Sequence, residues 1–232
     1  MAPPTPLLDE SRILETLTRL RDRIQERFPD SGLGRVATDL LAIGQDTAAL
    51  VDSLGRPNWP IRAAVWGTIA AIVVVLATLA TSLRMPSGIS GLASAVQTAE
   101  SLINDLVFLG IAVFFLTSLE DRFKRKRALA ALYRLRSIAH IVDMHQLTKD
   151  PERVSSPQLD TASSPARSLT PPELGRYLDY CSELLSLISK LAALHIQHFN
   201  DAVTLAAVNE IEALCTGLSG KIWQKITLLD RG

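Results

Sequence analysis

Residues 63–83 read AAVWGTIAAIVVVLATLATSL, and this uncharged stretch decides the fold. As a helix rising about 1.5 Å per residue, its 21 residues span about 31 Å, close to the thickness of a bilayer's hydrocarbon core. A surface helix of a soluble protein would carry a polar stripe, and this one has none. Arg62 and Arg84 flank it, and Trp59 and Trp66 lie toward its first end, as interfacial aromatics do. The stretch therefore predicts a transmembrane span.

A second apolar segment, 106–119, has 14 residues and would span only about 21 Å. Extending it to 101–119 gives 19 residues and about 28 Å, and brings Asn104 and Asp105 close to one end. These two residues are a candidate intramembrane polar site. In an oligomer, Asp105 would form an acidic ring like those of cation channels, whereas at the interface it would simply contact water. The two segments together predict a transmembrane hairpin.

Basic residues set the predicted orientation of this hairpin. Five cations follow the second span directly: Arg122, Lys124, Arg125, Lys126 and Arg127. The loop between the spans, 84–100, carries one cation, Arg84. Because positively charged flanks remain in the cytoplasm, both termini are predicted to be cytoplasmic and the loop to lie outside. The same basic cluster is expected to attract anionic lipid headgroups.

Helical periodicity accounts for the rest of the chain. An amphipathic stripe comes first: Ile13, Leu17, Leu20, Ile24 and Phe28. After a break at Pro29 to Gly32, a seam of coiled-coil type follows: Leu33, Val36, Leu40, Ile43, Thr47, Leu50 and Leu54. The two helices are predicted to pair antiparallel or to join a larger bundle. The seam is also a candidate contact for a second copy or a protein partner.

These patterns divide the chain into five predicted segments. They are a helical pair at 1–58, the hairpin at 59–121, a basic juxtamembrane helix at 122–148, a flexible linker at 149–169 and a second helical pair at 170–232. No segment shows the alternation of a strand. The predicted fold class is therefore all-α, with a transmembrane hairpin and a cytoplasmic helical bundle or coiled-coil part.

Residue types that carry chemistry are few. No phosphate-binding glycine loop, GxSxG or HExxH motif occurs. His195 and His198 would lie about one turn apart on a helix, and His140 and Asp143 share that spacing, so a metal bound between two helices is a weak candidate. The alternative is ordinary hydrogen bonding near the end of a bundle. No cofactor is predicted, and we expect the chain not to be an enzyme.

Composition argues against nucleic acid as a partner. The formal net charge is zero and aromatic residues make up 5% of the chain, so there is neither a global basic field nor a supply of stacking side chains. Cys181 and Cys215 lie far from any CxxC spacing and are expected to be buried, reduced thiols.

Four segments carry a family resemblance: RLRDRIQERFPDSGLGRV at 19–36, RSIAHIVDMHQLTKDP at 136–151, LGRYLDYCSELLSLISKLAALH at 174–195 and VNEIEALCTGLSGKIWQKI at 208–226. With them the chain resembles a bacterial family of two-span membrane proteins with cytoplasmic helices. The resemblance implies a multi-pass protein of the bacterial inner membrane and implies no activity. The layout alone is also similar to small two-span effectors of bacterial defence systems, and layout does not fix function.

Three function classes follow from these observations. The favoured one is a non-enzymatic, membrane-anchored helical interaction or scaffold protein, because a seam is present and catalytic motifs are missing from the sequence. The first alternative is an oligomeric pore or ion-conducting protein, favoured by Asp105 and by small residues along the first span. The second is a metal-dependent membrane enzyme built on the histidines.

Overall fold

A computed structural model of the chain describes residues 7–82, 91–151, 163 and 169–229. Every regular element in these residues is a helix, so the predicted all-helical class is confirmed. Much of the predicted linker, at 152–162 and 164–168, lies outside the described residues, as do residue 83 of the predicted first span and part of the predicted outer loop, at 84–90.

The described residues form the following helices in chain order: α1 Glu10–Arg27, α2 Gly32–Gly55, α3 Trp59–Ser82, α4 Gly91–Thr117, α5 Leu119–Leu147, α6 Pro171–His198 and α7 Ala202–Leu229. They divide into two compact units. A bundle unit comprises residues 1–55 and 125–232, and a hairpin unit comprises residues 56–124.

Local chemistry sets where the bundle helices begin and end. Asp9 caps α1 by accepting hydrogen bonds from the backbone N–H groups of Ser11 and Arg12 at 2.9 and 3.2 Å. The turn into α2 contains Asp30 at a φ of 59°, a left-handed conformation that aspartate tolerates better than most residues. At the start of α6, Glu173 accepts a hydrogen bond from the backbone N–H of Thr170 at 2.8 Å, as a capping box requires. These are short-range interactions that the sequence itself encodes.

The bundle unit has one main hydrophobic core, to which α1, α2, α5, α6 and α7 all contribute. The helices α1 and α2 pack closely, and Gly44 permits this, because a Cβ there would approach Cδ2 of Leu14 to 3.0 Å. The predicted helical pairs at 1–58 and 170–232 thus contribute to the same core instead of forming separate ones. Four residues of the α2 seam lie in this intrachain core: Leu33, Val36, Leu40 and Ile43. Leu54 packs instead in a smaller cluster with Ala128 and Phe199, and the half-buried Leu50 packs against that cluster.

In the hairpin unit, α3 and α4 contact each other and present large apolar side chains outward. The helix α4 begins at Gly91, well before the predicted start of the second span, and ends at Thr117. A turn at Ser118 separates it from α5. The i to i−4 hydrogen bonds continue across the turn, since Ser118 N–H donates to Phe114 at 3.2 Å and Arg122 N–H donates to Ser118 at 3.1 Å.

Among the described residues, one helical stretch, Gly32–Val75, is long and apolar enough to cross a membrane by length and composition. Only 6% of its most apolar part is buried within the protein. Among the described residues, the predicted second span, 101–119, is not identified as a membrane-crossing stretch by this criterion of length and composition. The side chains of Ser101, Leu102 and Asp105 are not among those described.

Candidate membrane anchor

The exposed surface of α3 and α4 is apolar over much of their described length. Trp59 and Trp66 are 72% and 66% exposed on α3. The other large apolar side chains exposed on the two helices are Val73, Val74, Val75, Ile103, Leu106, Val107, Phe108, Ile111, Phe114 and Phe115. A contiguous apolar surface of this kind marks a contact with lipid or with another protein.

Glu120 is the centre of a charged cluster where α4 passes into α5. Its Oε2 accepts a hydrogen bond from Arg62 Nε at 2.7 Å, and its Oε1 accepts one from the backbone N–H of Asn58 at 3.0 Å. Lys124 Nζ lies 3.0 Å from the same Oε1. Because Asn58 and Arg62 stand at the start of α3, the Glu120 carboxylate joins the two ends of the hairpin.

Electrostatics keeps this carboxylate charged. Burial on its own would raise the pKa of Glu120, since it disfavours the charged form. The hydrogen bonds from Arg62, Asn58 and Lys124 outweigh burial and lower the pKa to about 2. Glu120 is therefore an anion at any physiological pH and holds its two cations in place. Glu120 was not predicted from the sequence, although two adjacent acids, Glu120 and Asp121, between an apolar run and a basic cluster are a recognisable signal.

The predicted basic cluster is divided among different roles. Lys124 pairs with Glu120, and the guanidinium of Arg122 stacks over the ring of Phe115, with Cζ 4.4 Å from the ring centroid. Arg125 binds Asp201 through Nε and Nη2 at 2.6 to 3.0 Å. Lys126 and Arg127 are exposed and form no ion pair with another residue that the structure describes.

Asp201 has a second role as the N-cap of α7. Its Oδ2 accepts hydrogen bonds from the backbone N–H and the hydroxyl of Thr204, both at 3.0 Å. Burial would raise the pKa of Asp201, but the bonds from Arg125 and Thr204 outweigh burial and lower it. Arg125, which the sequence assigns to membrane orientation and to the attraction of lipid headgroups, thus also stabilises the bundle.

The predicted polar site in the second span is described only in part. Asn104 is exposed on α4. The side chain of Asp105, the residue of the predicted acidic ring, lies outside those the structure describes.

The candidate metal-binding residues are spread over two helices in different surroundings. His195 on α6 is fully buried, and its Nδ1 lies 3.2 Å from the carbonyl oxygen of Leu191. Burial lowers the pKa of His195 despite that contact, which favours a neutral ring. His140 is exposed on α5, and Asp143 accepts a hydrogen bond from Gln146 at 2.6 Å.

His198 ends α6, and its side chain is not among those described. Across the described residues, no three His, Cys, Asp or Glu side chains are grouped closely enough to hold a metal ion. Both cysteines are buried as free thiols, and burial raises the pKa of Cys181 to about 12.

No known protein family, curated protein or solved structure matches this chain.

Proposed function

We propose that this protein is a non-enzymatic membrane anchor and scaffold: α3 and α4 form a two-span hairpin in a bacterial inner membrane, and the helical bundle binds itself or a protein partner in the cytoplasm. The observation that carries the proposal is the exposure of the apolar stretch in α3. A core helix of a soluble protein with this composition would be mostly buried, whereas only 6% of this stretch is.

Free energy favours the same conclusion. Leaving an apolar side chain such as valine in water forgoes about 1.5–3 kcal/mol relative to burying it. Val73, Val74 and Val75 are all about half or more exposed, and Trp59 and Trp66 more so. Lipid tails would cover such side chains, and tryptophan near the end of a span suits the headgroup region.

The charged cluster around Glu120 suits the cytoplasmic end of such a hairpin. Polar groups in hydrocarbon must be satisfied by other protein groups. Glu120, Arg62 and Lys124 satisfy one another, and the guanidinium of Arg122 lies over the ring of Phe115. Two further exposed cations of the basic cluster, Lys126 and Arg127, follow the second span and suit its positive-inside end.

The bundle unit supports a binding role. The outer face of α5 exposes Tyr133, Met144 and Leu147, each more than 60% accessible, with Ile141 beside them. Aromatic residues and methionine are enriched in protein–protein interfaces. A scaffold or self-associating part uses such a face without any catalytic group.

Cysteine accessibility in the full-length protein tests the anchor. Cys181 and Cys215 are 0% and 2% exposed, so a membrane-impermeant maleimide should report mainly on an introduced cysteine. In intact bacterial spheroplasts, the variant Ala95→Cys should be labelled. The matched variant Ser137→Cys, at an exposed position of α5, should be labelled only after the membrane is permeabilised.

Three results would contradict the proposal. Labelling of Ser137→Cys in intact spheroplasts would place the bundle outside. Protection of Ala95→Cys from labelling would contradict the two-span arrangement. Release of the wild-type protein into the soluble fraction by alkaline carbonate would show that α3 and α4 do not anchor the protein in the membrane.

A further inference from the structure

A groove of about 450 Å³ lies between α2 and α5 within the bundle unit. Small and apolar side chains line most of it: Ile43, Ala49 and Leu50 from α2, and Ala130 and Ala131 from α5. The alanines leave space that larger residues would fill. Its volume falls in the range of roughly 300–1,000 Å³ that is usual for small-molecule sites.

The hydroxyl of Thr47 is an unpartnered polar group in this groove. Thr47 is 1% exposed, and its Oγ1 has no hydrogen-bond partner among the described residues. Other helical threonines satisfy their hydroxyls by donating to the carbonyl oxygen four residues earlier: Thr16, Thr18, Thr38, Thr68, Thr117 and Thr227. Buried polar groups in folded proteins are normally paired. Thr47 is the exception: its hydroxyl has a bonding capacity that no described residue fills.

The charges that line the groove favour an anion. Arg134 Nη1 pairs with Asp46 Oδ2 at 2.9 Å, so these two opposite charges offset each other. Arg127 also lines the groove, is exposed, and forms no ion pair with a described residue. One guanidinium is therefore left over, and guanidinium groups bind phosphate through paired hydrogen bonds.

We propose that this groove binds one anionic phospholipid from the cytoplasmic leaflet, an inference that rests on the membrane anchor proposed above. The phosphate pairs with Arg127, the Thr47 hydroxyl donates to a lipid oxygen, and an apolar chain lies along Ile43 and Leu50. Two features argue for a lipid over a water-soluble anion. The walls are largely apolar, and Arg127 follows the second predicted span closely in the chain.

Lipid titration of the full-length protein in uncharged detergent, read by native mass spectrometry, tests this site. The probes are short-chain phosphatidylglycerol, phosphatidylcholine with the same chains, and inorganic phosphate. Phosphatidylglycerol should bind at least about tenfold more tightly than the other two. Thr47→Val and Arg127→Gln should each weaken its binding about tenfold.

Two matched variants separate the groove from general surface charge. Lys126→Gln removes a neighbouring exposed cation that does not line the groove, and Thr38→Val removes a hydroxyl that is already bonded within its helix. Both should bind phosphatidylglycerol like the wild type. Thr47→Val should not lower the melting temperature, since it removes an unpartnered buried hydroxyl, so weaker binding by this variant would not reflect misfolding.

Several outcomes would overturn the inference. An equal loss of phosphatidylglycerol affinity in Arg127→Gln and Lys126→Gln would indicate diffuse electrostatic attraction. Unchanged affinity in Thr47→Val and Arg127→Gln would show that the groove is not the binding site. Equal binding of phosphate or phosphatidylcholine would remove the anionic-lipid assignment. In each of these cases, flotation of the wild-type protein with phosphatidylcholine vesicles would still support the proposed anchor. A wild-type protein that does not float would overturn both proposals.

Discussion

Replacing Leu40 with aspartate tests whether the seam of α2 is an intrachain core or a contact between subunits. Leu40 is 0% exposed, and it belongs to the core that α1, α2, α5, α6 and α7 share. We therefore expect Leu40→Asp to destabilise the fold of the bundle. If the seam instead joined subunits, the same change would separate folded monomers.

Two contributions set the size of the effect. The lost burial of the leucine side chain costs about 2 kcal/mol. The new carboxyl group avoids burying a charge by binding a proton, and near pH 7 this costs about 4 kcal/mol for a group whose unfolded pKa is about 3.9. The sum, about 6 kcal/mol, is comparable with the whole stability of a domain, roughly 5–15 kcal/mol.

The sign of the pH dependence follows from the raised pKa of the buried carboxyl group. Its penalty is absent below the unfolded pKa and grows by about 1.4 kcal/mol per pH unit above it. Lowering the pH from 7 to 5 should therefore restore about 3 kcal/mol. Circular dichroism of the full-length protein in detergent should show a melting temperature lowered by about 15 °C near pH 7. The deficit should be about half as large near pH 5.

Two control variants isolate the cause. Leu40→Asn has a polar side chain of similar size without a titratable group, so it should destabilise the bundle with no recovery at pH 5. Ala42→Asp introduces the same carboxylate at an exposed position of α2 and should leave the melting temperature nearly unchanged. A Leu40→Asp protein with full helical content, an unchanged melting temperature and a smaller mass by size-exclusion chromatography would refute the intrachain interpretation.

Two further predictions concern single titratable groups. Glu120→Gln should lower the stability of the hairpin unit by about 1–3 kcal/mol near neutral pH. The folded pKa of Glu120 is lowered from 4.5 to about 2, so the stability that Glu120 contributes is present above about pH 4.5 and is lost as the pH falls toward 2. In a melting series in detergent, the melting temperatures of the wild type and the variant should therefore become equal in acid. Burial lowers the pKa of His195 below its usual value of 6.5, so the wild type loses stability as the pH falls below 6.5. The melting temperature of His195→Leu should therefore fall less with decreasing pH than that of the wild type, and identical pH profiles would contradict a neutral buried ring.

The bundle helices could be predicted from the sequence because the interactions that define them are local. The apolar stripe of α1 repeats at helical spacing, the capping groups Asp9 and Asp201 lie within three residues of the N–H groups they satisfy, and the turn at Asp30 follows a proline. The long uncharged run of 63–83 likewise follows from composition alone. Each of these features is readable within one continuous segment of the chain.

Only the tertiary structure decided which helices share a core and which charges meet. Glu120 binds Arg62 across 58 residues of sequence, and Arg125 binds Asp201 across 76. Helical periodicity shows which face of a helix is apolar, and it does not show which other helix covers that face. The same limit explains Thr47, which the sequence marks as one polar residue in an apolar seam. Whether its hydroxyl finds a partner depends on the spacing between α2 and α5, and the alanines on both helices leave that space open.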